Sequence, residues 1–285
     1  MKYSNNKISF KHILIAISFL TIFSCEKVIE IDIKDAETQL VVEANINSGA
    51  GNNYVILSKS GNFYGSNTFP KVKNALVTIY DKNGTGFILS EVEDGIYNHP
   101  NLDGIENNLY KLDIRVENKI INGESTMPVL IPIDSLSYKE VNKPFGGGNG
   151  SGEQTNTSYK LFCHFKDPAG VRNYYRFRVY ESFYQDYQTF IINDDLFDGK
   201  YAMTSLFGIT AVPGDSIRVE MYSIDKANYE YYRLLDANDM GAFTTSIGNP
   251  VSNVSGENVI GVFGANSVDT SSIVLPGNLP SIQIQ

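Results

Sequence analysis

Short stretches in which apolar and polar residues alternate recur along most of the chain, and this period of two is typical of β-strands with one buried face. In the stretch 110–116, Leu112, Ile114 and Val116 alternate with charged residues. An Asn-Gly pair at 83–84 predicts a hairpin turn. The strands predicted in this part of the chain are 39–46, 53–58, 75–80, 86–90, 95–97, 110–116 and 118–123. Short strands separated by turns predict a β-sandwich of immunoglobulin or prealbumin type over residues 38–128.

A stiff connector separates these strands from a second set. Pro128 and Pro132 lie within the connector, and proline does not occur inside a central strand. We therefore predict a domain boundary here and a C-terminal β-rich domain over 133–285. Its strands are predicted at 135–140, 159–165, 174–183, 189–192 and 216–222, with one or two more near the C-terminus. The predicted fold class is all-β, with two β-sandwich domains.

One short helix is predicted in the second domain, over 229–235. Asp225 lies where a side chain can accept hydrogen bonds from the first helical N–H groups. Tyr231, Leu234 and Leu235 are spaced to share one face of the helix. This pattern predicts a helix that packs across the sandwich.

The first 25 residues have the pattern of a lipoprotein export signal. Three lysines precede an apolar run over 13–23, which is too short to span a bilayer as a permanent helix. The run ends in Ile22-Phe23-Ser24-Cys25, where a small residue precedes a cysteine that can receive a diacylglycerol. We predict a signal peptide over 1–24, lipidation of Cys25 and a tether over 25–37. The alternative is an ordinary secretory signal with a chance cysteine.

Charge and cysteine content narrow the classes of function. The formal net charge is −9, and removal of a leader with three lysines and no acids moves it to about −12. A chain this acidic repels nucleic acid and anionic headgroups, so membrane attachment must come from acyl chains. Cys163 is then the only free thiol. It alternates with Leu161 and Phe165, which predicts a small buried residue rather than a reactive one.

No catalytic set is apparent among the histidines. Of the three, His12 leaves with the signal peptide, His99 lies in a turn, and His164 is predicted to point away from Cys163 on its strand. The chain has no Gly-x-Ser-x-Gly and no His-Glu-x-x-His motif. We therefore predict no enzymatic activity, no catalytic residue and no cofactor besides the lipid on Cys25.

The acidic stretch 193–199 is the candidate for a metal site. Read as an EF-hand loop that starts at Asp194, it has Leu196 and Ser205 where the motif needs an oxygen ligand and a bidentate glutamate. A calcium site of another kind, with Asp194 and Asp198, and a tight acidic turn both remain open. No metal site is predicted. The stretch 167–170 is read as a type I turn.

An aromatic and basic strand carries the candidate binding site. In 174–180, alternation places Tyr175, Phe177 and Val179 on the core side. The opposite side carries Tyr174, Arg176, Arg178 and Tyr180. Tyrosine and arginine are enriched in binding hot spots, so these four residues are the predicted binding surface. The alternative is a sheet face stabilised by cross-strand packing.

The order of these motifs resembles DUF4249, a Bacteroidota family of outer-membrane lipoproteins of unknown function found beside TonB-dependent receptors. The stretches that carry the resemblance are the lipobox at Cys25 and residues 40–46, 75–80, 95–97, 127–136, 194–200, 229–235 and 249–265. The resemblance implies an outer-membrane location and a partnership with a receptor in nutrient uptake or envelope assembly. It transfers no catalytic residue. Residues 26–30 lack the dense acidic run that marks surface export in such lipoproteins, so the cell surface and the periplasmic face both remain open.

The leading hypothesis is a lipid-anchored accessory protein that binds a TonB-dependent receptor, another β-barrel protein or the imported cargo through its second domain. The second hypothesis is a stand-alone module at the cell surface that binds a glycan or a peptide. The third is a hydrolase, which requires two carboxylates facing each other in a cleft.

Overall fold

The computed structural model describes residues 37–48, 53–61, 69–143, 156–181, 187–239 and 250–277. Within these ranges the chain forms fifteen strands and one helix. The strands are β1 (Leu40–Asn47), β2 (Tyr54–Lys59), β3 (Leu76–Tyr80), β4 (Gly86–Glu93), β5 (Ile96–Asn98), β6 (Leu109–Val116), β7 (Lys119–Thr126), β8 (Ile133–Lys143), β9 (Asn156–Lys166), β10 (Tyr174–Glu181), β11 (Tyr187–Asn193), β12 (Tyr201–Ala211), β13 (Ser216–Ile224), β14 (Val254–Ser255) and β15 (Val259–Val274). The helix is α1 (Lys226–Asp239). The signal peptide, Cys25 and residues 25–36 of the tether lie outside the described residues.

Most strands belong to one twelve-stranded sheet, and the other three form a smaller sheet. The order in the large sheet is β11-β10-β13-β15-β1-β2-β5-β4-β3-β6-β7-β14, and the small sheet has the order β12-β9-β8. Strand β15 is 16 residues long and connects the two halves of the large sheet. Its first half pairs in parallel with β1, and its second half pairs antiparallel with β13.

The first core lies where the large sheet folds back on itself. Strands β3, β6, β7 and β14 cover β15, β1, β2 and β5, and the Ala265 N–H of β15 donates to Ser125 Oγ of β7 at 2.9 Å. Buried apolar side chains fill the space between these layers. They include Val42, Ile46, Val55, Leu57, Val77, Ile79, Tyr97, Leu112, Ile114, Ile121 and Phe263.

The second core lies between the small sheet and the half of the large sheet formed by β11, β10, β13 and the end of β15. Its aromatic centre is Phe165 of β9, whose ring centroid lies 4.9 Å from that of Tyr175 and 5.8 Å from that of Phe197. The remaining core side chains include Leu161, Cys163, Phe177, Val179, Leu206, Ile217, Val219, Met221 and Leu275. The all-β fold with two sandwiches is therefore as the sequence predicts.

Local signals in the sequence explain where several elements begin and end. The β3–β4 hairpin closes where Asp81 Oδ1 accepts hydrogen bonds from the N–H groups of Asn83 and Thr85, and Gly84 takes φ 83° at the tip. Helix α1 begins after Asp225, whose Oδ1 accepts from the Asn228 N–H at 2.9 Å. Both the hairpin and the cap agree with the sequence analysis.

The structure differs from the sequence-based elements in three respects. Strand β12 was not predicted, because 201–211 lacks regular alternation and its pairing with β9 shifts register after Leu206. On α1, the most buried side chains are Asn228 and Tyr232 rather than Tyr231, Leu234 and Leu235, which are only half-buried. The third difference concerns the domains: Val254, Phe263 and Ala265, which the sequence assigned to 133–285, pack in the first core.

Candidate binding face

The four residues predicted as a binding surface lie together on β10, and we call them the Tyr/Arg face. The core-side residues of the strand, Tyr175, Phe177 and Val179, are at most 1% exposed, so alternation predicted the two sides of β10 correctly. On the other side, the register places β11 along one edge of β10 and β13 along the other. These neighbouring strands supply the partners of the Tyr/Arg face.

Arg176 is covered by helix α1. Its guanidinium carbon lies 3.7 Å from the centroid of the Tyr232 ring, and its Nε donates to Thr189 Oγ1 at 3.2 Å. Because Arg176 is only 9% exposed, a ligand cannot contact it freely while α1 is in place. Its contribution is a cation–π contact that holds the helix on the sheet.

Arg178 lies among tyrosines. Its guanidinium carbon is 4.8 Å from the ring centroid of Tyr187 and 4.9 Å from that of Tyr222, and Nη1 donates to the Tyr222 hydroxyl at 3.1 Å. The Tyr54 hydroxyl also lies close enough to interact with the guanidinium. Burial lowers the pKa of Arg178, but interactions with the hydroxyls of Tyr222, Tyr187 and Tyr54 raise it by more. The group therefore stays charged.

Glu220 organises the Tyr180 end of the face. Its Oε2 accepts hydrogen bonds from the Tyr180 hydroxyl at 3.0 Å and the Tyr222 hydroxyl at 2.7 Å, and Arg218 pairs with its Oε1. The Arg218 guanidinium lies 3.7 Å from the Tyr180 ring centroid. Burial and the nearby Glu220 carboxylate raise the pKa of Tyr180. These contacts hold both tyrosine rings in fixed positions.

Tyr174 ends the face beside helix α1. Its ring centroid is 4.7 Å from that of Tyr229, and Arg172 lies 6.0 Å from the Tyr174 centroid. Tyr174, Arg178 and Tyr180 are half-buried, and Tyr187 of β11 is exposed. Five further residues of this surface were not predicted: Tyr54, Tyr187, Tyr222, Tyr232 and Glu220. Alternation along a strand can show that a side chain points away from the core, but only the sheet order shows which side chains are neighbours.

A group of three aspartates lies at one end of the second sandwich. Carboxylate oxygens of Asp167, Asp194 and Asp198 lie within 4.8 Å of one another. N–H groups of the two surrounding loops already donate to them: Gly199 to Asp167 at 3.0 Å, Asn173 to Asp194 at 2.7 Å and Gly170 to Asp198 at 2.8 Å.

Two side chains complete this group. Arg172 forms an ion pair with Asp194 at 3.3 Å, and the Tyr175 hydroxyl donates to Asp167. These contacts tie the loop after β9 to the loop after β11, in agreement with the acidic-turn interpretation of 193–199. Calcium binding through Asp194 and Asp198 stays an open alternative, since the same oxygens are the kind of ligand that calcium takes.

The histidines and Cys163 do not meet in one site. His99 Nδ1 accepts from the Asn101 N–H at 3.2 Å, and its ring lies against Phe87. His164 Nε2 lies 2.7 Å from Ser137 Oγ, on the opposite side of β9 from Cys163. The histidines therefore have local structural partners, and the described residues bring neither of them to the thiol.

Cys163 is expected to resist modification in the folded protein. Its side chain is 0% exposed, and burial together with the carboxylates of Asp269 and Asp134 raises the pKa of the thiol to about 12. The reactive thiolate is therefore nearly absent at pH 8. In a Cys25→Ser chain, we expect a disulfide reagent to label no thiol in buffer and one thiol in guanidinium chloride. Labelling of the folded chain within minutes would contradict the burial of Cys163.

The burial of Cys163 also has a consequence for pH-dependent stability. Because the folded pKa is raised above the usual value of 9.0, the unfolded chain loses this proton first as the pH rises. The contribution of Cys163 to folding is therefore complete below about pH 9 and is lost progressively as the pH rises through 9 towards 12.

Within the described residues, no helix has the length and apolar character that a membrane span requires.

Comparisons with known proteins identify the family. The model of the family described as "Domain of unknown function (DUF4249)" matches residues 26–272. No curated protein matches the chain. Among solved structures, a segment of two fibronectin type III domains from chicken tenascin is 14% identical, with a TM-score of 0.22, and the match covers 66% of this chain and 91% of that one. A likeness this low contributes nothing to the assignment of function.

Proposed function

This chain belongs to the DUF4249 family, and we propose that it is a lipid-anchored, non-enzymatic protein of the outer membrane that binds a partner through the Tyr/Arg face. The proposed partner is a TonB-dependent receptor or another β-barrel protein, or the cargo which that receptor imports. The proposed process is nutrient uptake or envelope assembly.

The observation that carries this proposal is that contacts with neighbouring residues fix the side chains of the Tyr/Arg face in position. Tyr174, Arg178 and Tyr180 are half-buried, and each has a ring or hydrogen-bond partner on a neighbouring strand or on α1. Such side chains lose little conformational freedom when a partner arrives, so more of the contact energy appears as affinity. Tyrosine and arginine in this setting are the residue types that dominate binding hot spots.

The N-terminal sequence supports the proposed location. Acyl chains on Cys25 would insert in the membrane, and each buried CH₂ contributes about 0.8 kcal/mol. The 13 residues of 25–37 reach about 43 Å when extended, at roughly 3.3 Å each. A tether of this length would keep the folded part of the chain beside the bilayer in which a β-barrel lies. The sequence leaves both sides of the membrane open, and protease treatment of intact cells would distinguish them.

The sheet edge supports a second candidate function, a stand-alone module that binds a peptide or a glycan. Strand β11 is the outermost strand of the large sheet, next to the Tyr/Arg face. An extended peptide could pair with the outer edge of β11, which pairs with no other strand among the described residues, while the peptide side chains contact Tyr187 and Arg178. This candidate differs from the first because it needs no receptor.

Co-purification tests the proposed function. The full chain is recovered from membranes in mild detergent, and the recovered proteins are identified. We expect an outer-membrane β-barrel with the wild-type chain and at least a tenfold reduction with Tyr174→Ala/Tyr180→Ala. The matched control is Tyr80→Ala/Tyr201→Ala, which removes two tyrosines exposed elsewhere and should retain the barrel. Recovery of no β-barrel, or equal recovery with both double variants, would contradict the proposal.

A further inference from the structure

Arg178 has a charged hydrogen-bond donor with no acceptor in the described structure. Its Nη1 donates to the Tyr222 hydroxyl and the Tyr54 hydroxyl lies close to the guanidinium, but the buried Nε has no partner among the described residues. An unsatisfied buried donor costs about 1–3 kcal/mol, and more when the group is charged. The Nε edge of a guanidinium is one of the two edges that bind a carboxylate or a phosphate with two parallel hydrogen bonds.

The same guanidinium has no counter-ion among the residues that the structure describes. Two carboxylates lie close by: Glu220 is paired with Arg178 in the register of β10 and β13, and Glu43 interacts with Tyr54, which lies beside Arg178. Glu220 pairs with Arg218 and accepts from two tyrosines, and Glu43 accepts from the Tyr54 hydroxyl at 3.0 Å. Neither of these carboxylates forms an ion pair with Arg178 or with the neighbouring Arg176. Within the described residues, these two buried or half-buried positive charges therefore contact tyrosine rings, tyrosine hydroxyls and the Thr189 hydroxyl but no carboxylate, in a protein whose net charge is −9.

Both halves of the large sheet contribute to the surroundings of Arg178. Strand β1 pairs with residues 259–266 of β15, and β13 pairs with residues 267–274. Tyr54 lies on β2, next to β1, and Arg178 lies on β10, next to β13. The positive charge of Arg178 nevertheless acts on the Tyr54 hydroxyl, so these two side chains from different halves of the sheet lie close together.

Three further buried polar atoms without partners lie near helix α1, apart from the site at Arg178. They are Asn45 Nδ2 of β1, Asn266 Oδ1 of β15 and Asn228 Oδ1 of α1. Asn266 Nδ2 donates to Asn45 Oδ1 at 3.3 Å, and the side chain of Asn228 lies over Gly264 of β15. These residues are at most 4% exposed, so we expect buried water rather than a ligand to satisfy them.

We propose that Arg178 anchors a small-molecule site that takes an oxyanion, either a carboxylate or a phosphate, whose apolar body packs beside the rings of Tyr187 and Tyr222. Arg176 adds a second positive charge to the site without touching the ligand. This inference rests on the proposed binding role of the Tyr/Arg face and names the chemistry of what that face binds. Because the protein is net negative, it repels anions in general. We therefore expect the site to bind only anions that also pack against the rings of Tyr187 and Tyr222.

The arginine side-chain NMR signals test this site directly. The chain has six arginines, so each Nε–Hε signal of the full chain in detergent micelles can be followed separately. Benzoate, inorganic phosphate, benzamide and sodium chloride are added at matched ionic strength. We expect a saturable shift of the Arg178 signal with benzoate or phosphate and none with benzamide or chloride. A response to only one of the two anions identifies which oxyanion the site takes.

Variants complete the test. Arg178→Lys should weaken anion binding at least tenfold, because an ammonium group cannot make the two parallel hydrogen bonds. Arg115→Lys, on an exposed side of the first sandwich, should bind as the wild type does. If Arg178→Lys does not fold, single Arg→Lys variants at the other five arginines (115, 172, 176, 218 and 233) assign their signals, and the Arg178 signal follows by elimination.

Two results would overturn the proposal. One is the absence of any saturable shift, and the other is an equal shift of all six signals, which would indicate an adventitious ion only. The outcome is separable from that of the proposed function. A retained β-barrel without an anion response would refute this site alone, whereas an anion response without the barrel would refute the receptor partnership alone.

Discussion

The substitution Gly261→Ala is expected to destabilise the protein by about 4 kcal/mol or more. Gly261 pairs with Val42 in the parallel ladder of β1 and β15, where it takes φ 143°. A Cβ atom at this position would lie 1.9 Å from the Val42 carbonyl oxygen, far inside contact distance. The backbone has to move, and the movement disrupts the ladder that connects the two halves of the large sheet. Denaturant titration followed by circular dichroism measures the loss.

Two other glycines serve as controls that separate the steric clash at Gly261 from the strain of its backbone conformation. Gly84 also has a positive φ, but a Cβ there would meet nothing within 4 Å, so Gly84→Ala should cost only about 1–2 kcal/mol of left-handed strain. Gly277 has neither the φ nor the contact, and Gly277→Ala should change the free energy of unfolding by less than about 0.5 kcal/mol. A Gly261→Ala chain as stable as the Gly84→Ala chain would mean that β1 and β15 do not pair in this register.

The second large effect concerns the proposed lipid anchor. Cys25→Ser should abolish the incorporation of a labelled fatty acid completely, because the hydroxyl cannot form the thioether. Cys163→Ser is the matched control: this thiol is buried in the second core, so its loss should leave the fatty-acid label unchanged. Metabolic labelling followed by mass spectrometry of the N-terminal peptide of the processed chain measures both. Label retained in Cys25→Ser, or lost in Cys163→Ser, would refute lipidation at Cys25.

Alternation along single strands was predictable, and so was the composition of the Tyr/Arg face. Tyr175, Phe177 and Val179 are buried and Tyr174, Arg178 and Tyr180 face away from the core, because successive side chains of a strand point to opposite sides. The hairpin at Asp81 and the helix cap at Asp225 were also predictable, because each depends on contacts within a few residues of the chain. Strand β12 was not predictable, because its irregular register removes the period of two from its sequence.

The environment of each arginine could not be predicted from the strand that carries it. Arg176 and Arg178 lie two residues apart on the same side of β10, yet one lies under Tyr232 of α1 and the other among Tyr54, Tyr187 and Tyr222. These neighbours come from four other elements, some of them far away in the chain. The aspartate group is similar: 167–170 and 194–198 each predicted a turn, and only folding brings their carboxylates together.

The sequence by itself determined the all-β class, the sides of the strands, the lipobox pattern at Cys25 and the four residues of the Tyr/Arg face. These features depend on covalent order and on the period of two, which operate over a few residues. The tertiary structure decided that β15 belongs to both cores, that α1 covers Arg176, and that Arg178 lies among tyrosines without a carboxylate partner among the described residues. These features depend on which distant strands pair, and that choice is made by the packing of whole sheets rather than by any single stretch of chain.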